Sequence, residues 1–277
     1  MNTAENDLHG KAVLITGGTM GIGLATGLAF GRLGAHCILT YGWGTADEAE
    51  VLDAFAKAGA PTPLIVQADV ANAADTAALL SAVKQHHESI EAFISNVSVA
   101  LVVKDLDEYS ARALHKSIDY SAWPIVDYTR RIRDMFGRYP RYVIGLSSGG
   151  PEAFFRNYDF VAASKSVMET LCRYMSYRLF DDDVHINVVR ARMVQTESLR
   201  ATVGEEFVSF AEQFKLRGQF VNRDDVANTI VALCSGLLDG VRGQVITVDR
   251  GAAFFDNLMR LYQERDAFDV GVHSNLE

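Results

Sequence analysis

The chain has 277 residues, 49% hydrophobic and 22% charged, with a formal net charge of −9. That hydrophobic content supplies a large core and excludes global disorder. The acidic balance excludes a nucleic-acid binder, which needs a basic face for phosphates. Met1–His9 is polar and acidic and lacks the apolar stretch of a signal peptide. Beyond it, short apolar runs alternate with helical stretches. Lys11–Thr16 reads as a buried strand, Gly21–Leu33 as a helix, Ala35–Thr40 as a strand and Asp47–Lys57 as a helix. Pro63–Ala68, Ile90–Ser95, Arg141–Leu146, Val184–Val189 and Gly243–Val248 read as further strands. Between and after them, helices are expected over Ala73–His87, Asp107–Phe136 (interrupted near Pro124), Asp159–Phe180, Thr196–Lys215 and Asp224–Ser235. The strands are short, β-branched and apolar on both faces, as in a parallel sheet covered on both sides. The alternation predicts an α/β fold: a doubly wound parallel seven-stranded sheet, Rossmann-type, with residues 1–277 as a single domain. In the tail, from about residue 252, Phe254, Phe255, Leu258, Leu261 and Tyr262 are spaced as one apolar helical face. That face can pack on its own domain, on a sister subunit, or over a pocket as a lid.

No run approaches the ~18 apolar residues of a membrane span. Cys37, Cys172 and Cys234 are widely spaced with no CxxC pair, which reads as reduced thiols in a cytoplasm. The histidines show no metal spacing.

Thr16-Gly17-Gly18-Thr19-Met20-Gly21-Ile22-Gly23 joins the first strand to the first helix, the context that a dinucleotide turn requires. Gly17 allows a tight turn, Gly21 lets the backbone approach a pyrophosphate, and Gly23 lets the helix pack close to the sheet. The helix N-terminus offers unpaired N–H groups to the anion. The second strand ends in Thr40-Tyr41-Gly42-Trp43, with no acid until Asp47. A carboxylate there would bond the ribose of NAD and repel a 2′-phosphate. Its absence favours NADP(H), and the absence of a nearby Arg or Lys leaves NAD(H) open.

At this point the chain resembles the short-chain dehydrogenase/reductase family over about residues 8–255. Asn157-Tyr158 stands seven residues before Lys165, where most of the family has tyrosine four before lysine; here that position is Val161. The longer spacing and the Met168–Met175 stretch resemble the enoyl-acyl-carrier-protein reductase branch. The resemblance implies catalytic roles for Tyr158, Lys165 and Ser148, the last in Gly145-Leu146-Ser147-Ser148 at the end of the fifth strand. It implies cofactor contacts from Gly17, Thr19, Gly21, Ile22, Gly23, Tyr41, Asp69, Val70, Asn96, Lys165 and Thr196. Asp69-Val70 resembles the pair that holds adenine, and Asn96 matches the second asparagine of the family's Asn-Asn-Ala-Gly.

Residues seven apart on a helix share a face about 10.5 Å apart along the axis, against about 6 Å for residues four apart. The longer spacing sets the phenol further from the lysine. That suits an oxygen removed from the carbon that receives hydride, as in a conjugated enoyl thioester. Tyr158 would stabilise the enolate, with the Lys165 charge favouring ionisation of the phenol.

Several departures leave other readings open. The family's fourth-helix Asn falls near Tyr120, its Pro-Gly after the sixth strand is Ala191-Arg192, and its Asp-Gly-Gly is Asp249-Arg250-Gly251. Arg192 can reach cofactor phosphates, reach a substrate carboxylate, or be solvated. Apolar Val99–Val102, Pro151, Phe154 and Phe155 suit an acyl chain. Arg130, Arg131, Arg133, Arg138, Arg141, Arg173 and Arg178 can steer an acidic acyl carrier protein or serve a homodimer or homotetramer interface. A ketoreductase and a nucleotide-binding protein without turnover are the competing functions.

Overall fold

The computed structural model describes residues 8–43, 47–194, 196, 199–200, 204–206, 208–209, 221–254 and 256–263. Seven parallel strands form one sheet: β1 (Ala12–Ile15), β2 (His36–Tyr41), β3 (Leu64–Gln67), β4 (Ala92–Ser95), β5 (Tyr142–Ser148), β6 (His185–Ala191) and β7 (Val245–Val248). The helices are α1 (Gly21–Arg32), α2 (Glu48–Lys57), α3 (Ala73–Lys84), α4 (Ala111–Ser121), α5 (Pro124–Phe136), α6 (Asp159–Arg178), α7 (Arg223–Leu233) and α8 (Asn257–Gln263). The long helix expected over Asp107–Phe136 is instead a 3₁₀ turn, Leu106–Glu108, followed by α4 and α5. Proline at the first position of α5 cannot continue α4, and Trp123 precedes it as N-cap.

The sheet order is β3-β2-β1-β4-β5-β6-β7. Strand alternation sends Val13 and Ile15 into a core under α1, α2 and α7, and Ala12 and Leu14 into a second core under α3, α5 and α6. The order reverses between β1 and β4, so the crevice beyond their carboxyl ends is the binding position of such a sheet.

The expected helix Thr196–Lys215 lies largely outside the described residues. In the tail, Phe255 and the side chain of Leu261 also lie outside them. Phe254 is 94% exposed, and Leu258 and Tyr262 are also exposed.

Candidate active site

The glycine turn takes its shape from contacts that tolerate no side chain. Gly17 and Gly21 have φ of +63° and +57°, the left-handed region that favours glycine. A Cβ on Gly23 would lie 2.1 Å from the Gly17 carbonyl oxygen, whereas around Gly21 nothing lies within 4 Å. Asn96 Nδ2 donates to the carbonyls of Thr16 (2.9 Å) and Gly17 (3.0 Å), so its amide braces the turn from the end of β4. Met20, the N-cap of α1, makes no side-chain cap, and the first turn holds no acid. Uncapped N–H groups above an open glycine are what a pyrophosphate needs, so the residues present fit a dinucleotide. Thr19 is half-buried in the turn, and Ile22 packs on the core.

On the adenine side, Val70 is buried, and both Asp69 oxygens are engaged, by Ala71 N (2.9 Å) and by the Tyr120 hydroxyl (3.0 Å). Tyr120, which aligns near a proton-relay asparagine, thus turns to Asp69, with Trp43 beside it at 4.9 Å between centroids. Lys116 Nζ lies 5.4 Å from the Trp43 ring. Tyr41 donates to Glu48 Oε1 at 3.0 Å, which brings a carboxylate to the end of β2 that the run from Thr40 to Trp43 does not show. Thr196 Oγ1 accepts the Leu199 N–H at 3.1 Å, as an N-cap does.

Tyr158 is the N-cap of α6, with φ −107° and ψ 11°, and its phenol lines a cavity of about 270 Å³ with Gly150, Phe154, Phe155 and Asp159. Gly150 permits the close approach: a Cβ there would meet Tyr158 Cδ1 and Ala162 Cβ at 2.9 Å. Ser148 Oγ is buried with no hydrogen-bond partner of good geometry. Burial pushes the Tyr158 pKa up, and the adjacent Ser148 hydroxyl works against that shift. A neutral phenol remains a donor at neutral pH. Val161, the alternative tyrosine position, is 2% exposed.

Lys165 is 3% exposed and donates to the Leu146 carbonyl at 2.7 Å. Its other N–H donors remain for a ribose. Burial lowers its pKa to about 8, against the opposing influence of Glu169.

The sequence pattern described as enoyl-(acyl carrier protein) reductase matches residues 17–253. The chain belongs to this family of short-chain dehydrogenase/reductases. The NADH-dependent enoyl-[acyl-carrier-protein] reductase FabI of Aquifex aeolicus is 25% identical over 250 residues, 88% of this chain and 92% of that protein. The short chain dehydrogenase/reductase nsrJ of Aspergillus novofumigatus is 26% identical over 259 residues, 89% of this chain and 97% of that protein. The crystal structure of the Aquifex aeolicus enoyl-[acyl-carrier-protein] reductase (NADH) shares the fold at a TM-score of 0.77 and 22% identity, covering 90% of this chain and 98% of that one. A 7α-hydroxysteroid dehydrogenase complexed with NADH and 7-oxo glycochenodeoxycholic acid does so at 0.80 and 20%, covering 91% and 98%. As a member of this reductase family the protein is a nicotinamide-dependent oxidoreductase.

Behind the reductase site lies a buried network that the sequence reading missed. Arg190 on β6 forms a two-pronged pair with Glu169, Nε to Oε1 at 3.0 Å and Nη2 to Oε2 at 2.7 Å. Ser147 Oγ donates to Glu169 Oε1 at 2.6 Å, and Arg190 Nη1 also pairs with Glu152 on the loop after β5. A buried, bidentate pair of this kind fixes geometry. The available signal was a charged residue closing an apolar strand run, with a glutamate one helical turn beyond Lys165.

The burial of Lys165 ties stability to pH. Between about pH 8 and the ordinary lysine value of 10.5, the unfolded chain holds a proton that the folded chain has released. Stability from this group therefore rises with pH through that window and is lowest below about pH 8, where the buried charge costs on the order of 3 kcal/mol. The catalytic efficiency for the dinucleotide is expected to fall over the same window as the ammonium is lost. A pH series of both quantities, with Lys165→Met flattening the stability trend, checks this.

Proposed function

We propose that the protein reduces the carbon–carbon double bond of an enoyl thioester, carried by acyl carrier protein or coenzyme A, in a fatty-acid or polyketide-type synthesis. The observation that carries this reading is Tyr158 at the mouth of α6, beside the buried Ser148 hydroxyl and two turns above buried Lys165. A dinucleotide held here would supply a hydride for the β-carbon. The π electrons of the double bond then move onto the thioester oxygen, and Tyr158 donates a hydrogen bond to that enolate. Ser148 orients the same oxygen, and Lys165 holds the nicotinamide ribose. The α-carbon takes its proton from Tyr158 or water. Gly17, Thr19, Gly21, Ile22 and Gly23 would hold the pyrophosphate, Tyr41, Asp69, Val70 and Asn96 the adenosine half, and Thr196 the carboxamide.

For the reductant we propose NADPH. The support is the missing acid within β2 and the Lys116 ammonium near Trp43, a cation at the adenosine end. The Glu48 carboxylate on Tyr41 favours NADH as a second reading, as does the NADH in the FabI relatives' descriptions. The arginines support carrier docking less than the bare sequence does. Arg131 pairs with Asp127, Arg133 with Asp134, Arg138 with Glu91 and Arg141 with Asp239. Exposed Tyr174 and Tyr177 on α6 offer apolar surface to a sister subunit in a homodimer or homotetramer.

The test is consumption of NADPH and NADH with crotonyl and acetoacetyl thioesters in parallel. The expected result is turnover of the crotonyl thioester only, faster with NADPH. Preference for the acetoacetyl thioester makes the protein a ketoreductase, and tight dinucleotide binding with no turnover on either makes it a non-catalytic homologue.

A further inference from the structure

We infer that Arg192 reads an anionic group on the acyl portion of the substrate, so that the preferred substrate is a short enoyl thioester bearing a carboxylate. This rests on the enoyl-thioester reading above. Arg192 follows β6 directly and is anchored there by its own N–H, which donates to the Val248 carbonyl at 3.2 Å. Its half-buried side chain lies across the backbone of Gly149: a Cβ on Gly149 would stand 3.1 Å from Arg192 Cγ and Nε and 3.1 Å from Phe155 Cε2. Phe155 in turn lines the cavity with Tyr158, their ring centroids 5.8 Å apart. The arginine stem and the catalytic phenol therefore flank one aromatic wall.

The acids that line or back this cavity already have partners. Arg190 is held by Glu169 and Glu152, Lys165 sits beside Glu169, and Asp159 accepts the Tyr109 hydroxyl at 2.6 Å. Arg192 has no side-chain hydrogen bond or ion pair among the described residues. A half-buried guanidinium without an acid is a site for one, and its planar fork matches a carboxylate.

The cofactor pyrophosphate is poorly placed to be that anion. Gly149 follows β5, and two strand spacings, about 10 Å, separate β5 from the glycine turn on β1. The cavity of about 270 Å³ is below the usual range for ligand pockets, roughly 300–1,000 Å³, and suits a short acyl group better than a long one.

The experiment uses thioesters of N-acetylcysteamine, whose arm carries no phosphate. The pair is glutaconyl, with a free terminal carboxylate, and its neutral methyl ester. The wild-type protein is expected to favour the carboxylate in kcat/KM by roughly tenfold or more, the size of a charge-assisted hydrogen bond. Arg192→Gln is expected to bring that ratio to about one, and Arg192→Lys to restore part of it. A ratio near one in the wild-type protein, or a ratio kept by Arg192→Gln, overturns the inference. An Arg192 effect confined to coenzyme A thioesters also overturns it, since the anion is then the carrier phosphate. Should no enoyl thioester be reduced, glutarate is titrated calorimetrically into the protein–NADPH complex. Glutarate binding that Arg192→Gln weakens tenfold then supports the anion site while the enoyl reading fails, and no glutarate binding overturns both.

Discussion

Tyr158→Phe is expected to lower kcat on an enoyl thioester by at least roughly 10²-fold, the loss of one oxyanion donor. Dinucleotide affinity should stay close to wild type, because the phenol sits at the start of α6 while the glycine turn and Lys165 are untouched. The change should fall mainly on kcat, since the donor acts where charge develops in the transition state. Single-turnover rates and a fluorescence titration with NADPH separate the two effects. Wild-type-like turnover removes Tyr158 from the chemistry. Ser148 is the next candidate, because its hydroxyl is buried beside the same phenol. Tyr109, the other phenol near the start of α6, is already committed to Asp159.

Gly23→Ala is expected to be the most damaging change outside the reacting residues. Its methyl group would meet the Gly17 carbonyl oxygen at 2.1 Å and Asn96 Nδ2 at 2.8 Å. The oxygen is backbone and the amide is tied to it, so neither yields without opening the turn. Overpacking of this kind costs about 1–3 kcal/mol, which at roughly 2–4 °C per kcal/mol lowers the melting temperature visibly. Dinucleotide binding should weaken further than stability does, because the displaced turn is the proposed anion cradle. Gly21→Ala is the control: its Cβ meets nothing within 4 Å, so only the left-handed φ of +57° is strained, at about 1–2 kcal/mol. Thermal unfolding with and without NADPH distinguishes the two variants. A Gly23→Ala protein that binds NADPH like wild type shows that close packing of α1 on the turn does not shape the cradle.

Much of the fold was readable because parallel strands buried on both faces leave a strong apolar signal. KAVLIT, HCILT and EAFIS need no partner to be recognised, and their order sets the crossovers. Boundaries were less legible: β5 and β6 run on to Ser148 and Ala191, past the apolar runs, since polar residues there still pair across the sheet. The break before Pro124 was visible, but the shift of the preceding turn to 3₁₀ geometry was not. At the site, the glycine spacing and the Tyr158–Lys165 spacing are local and survive in one dimension. Glu48 at Tyr41, Tyr120 on Asp69 and Arg190 on Glu169 join residues from different elements, and no periodicity marks such a pair.

The linear order of residues alone determined that this chain winds a parallel sheet, places a glycine turn after its first strand, and sets a phenol and a lysine on one helix. Backbone sterics and hydrophobic periodicity act over a few residues, so they can be read without a partner in space. Folding decided the protonation behaviour: Lys165 falls to about 8 because helices and sheet close over it, and burial alone lifts Tyr158. It also decided which cation is left over. Arg190 and Arg192 stand two residues apart in the sequence, yet one is locked between Glu169 and Glu152 while the other lies over Gly149 with no acid against it among the described residues. Charge pairing depends on distance through space and on exclusion of water, and neither quantity exists until the sheet and its helices have come together.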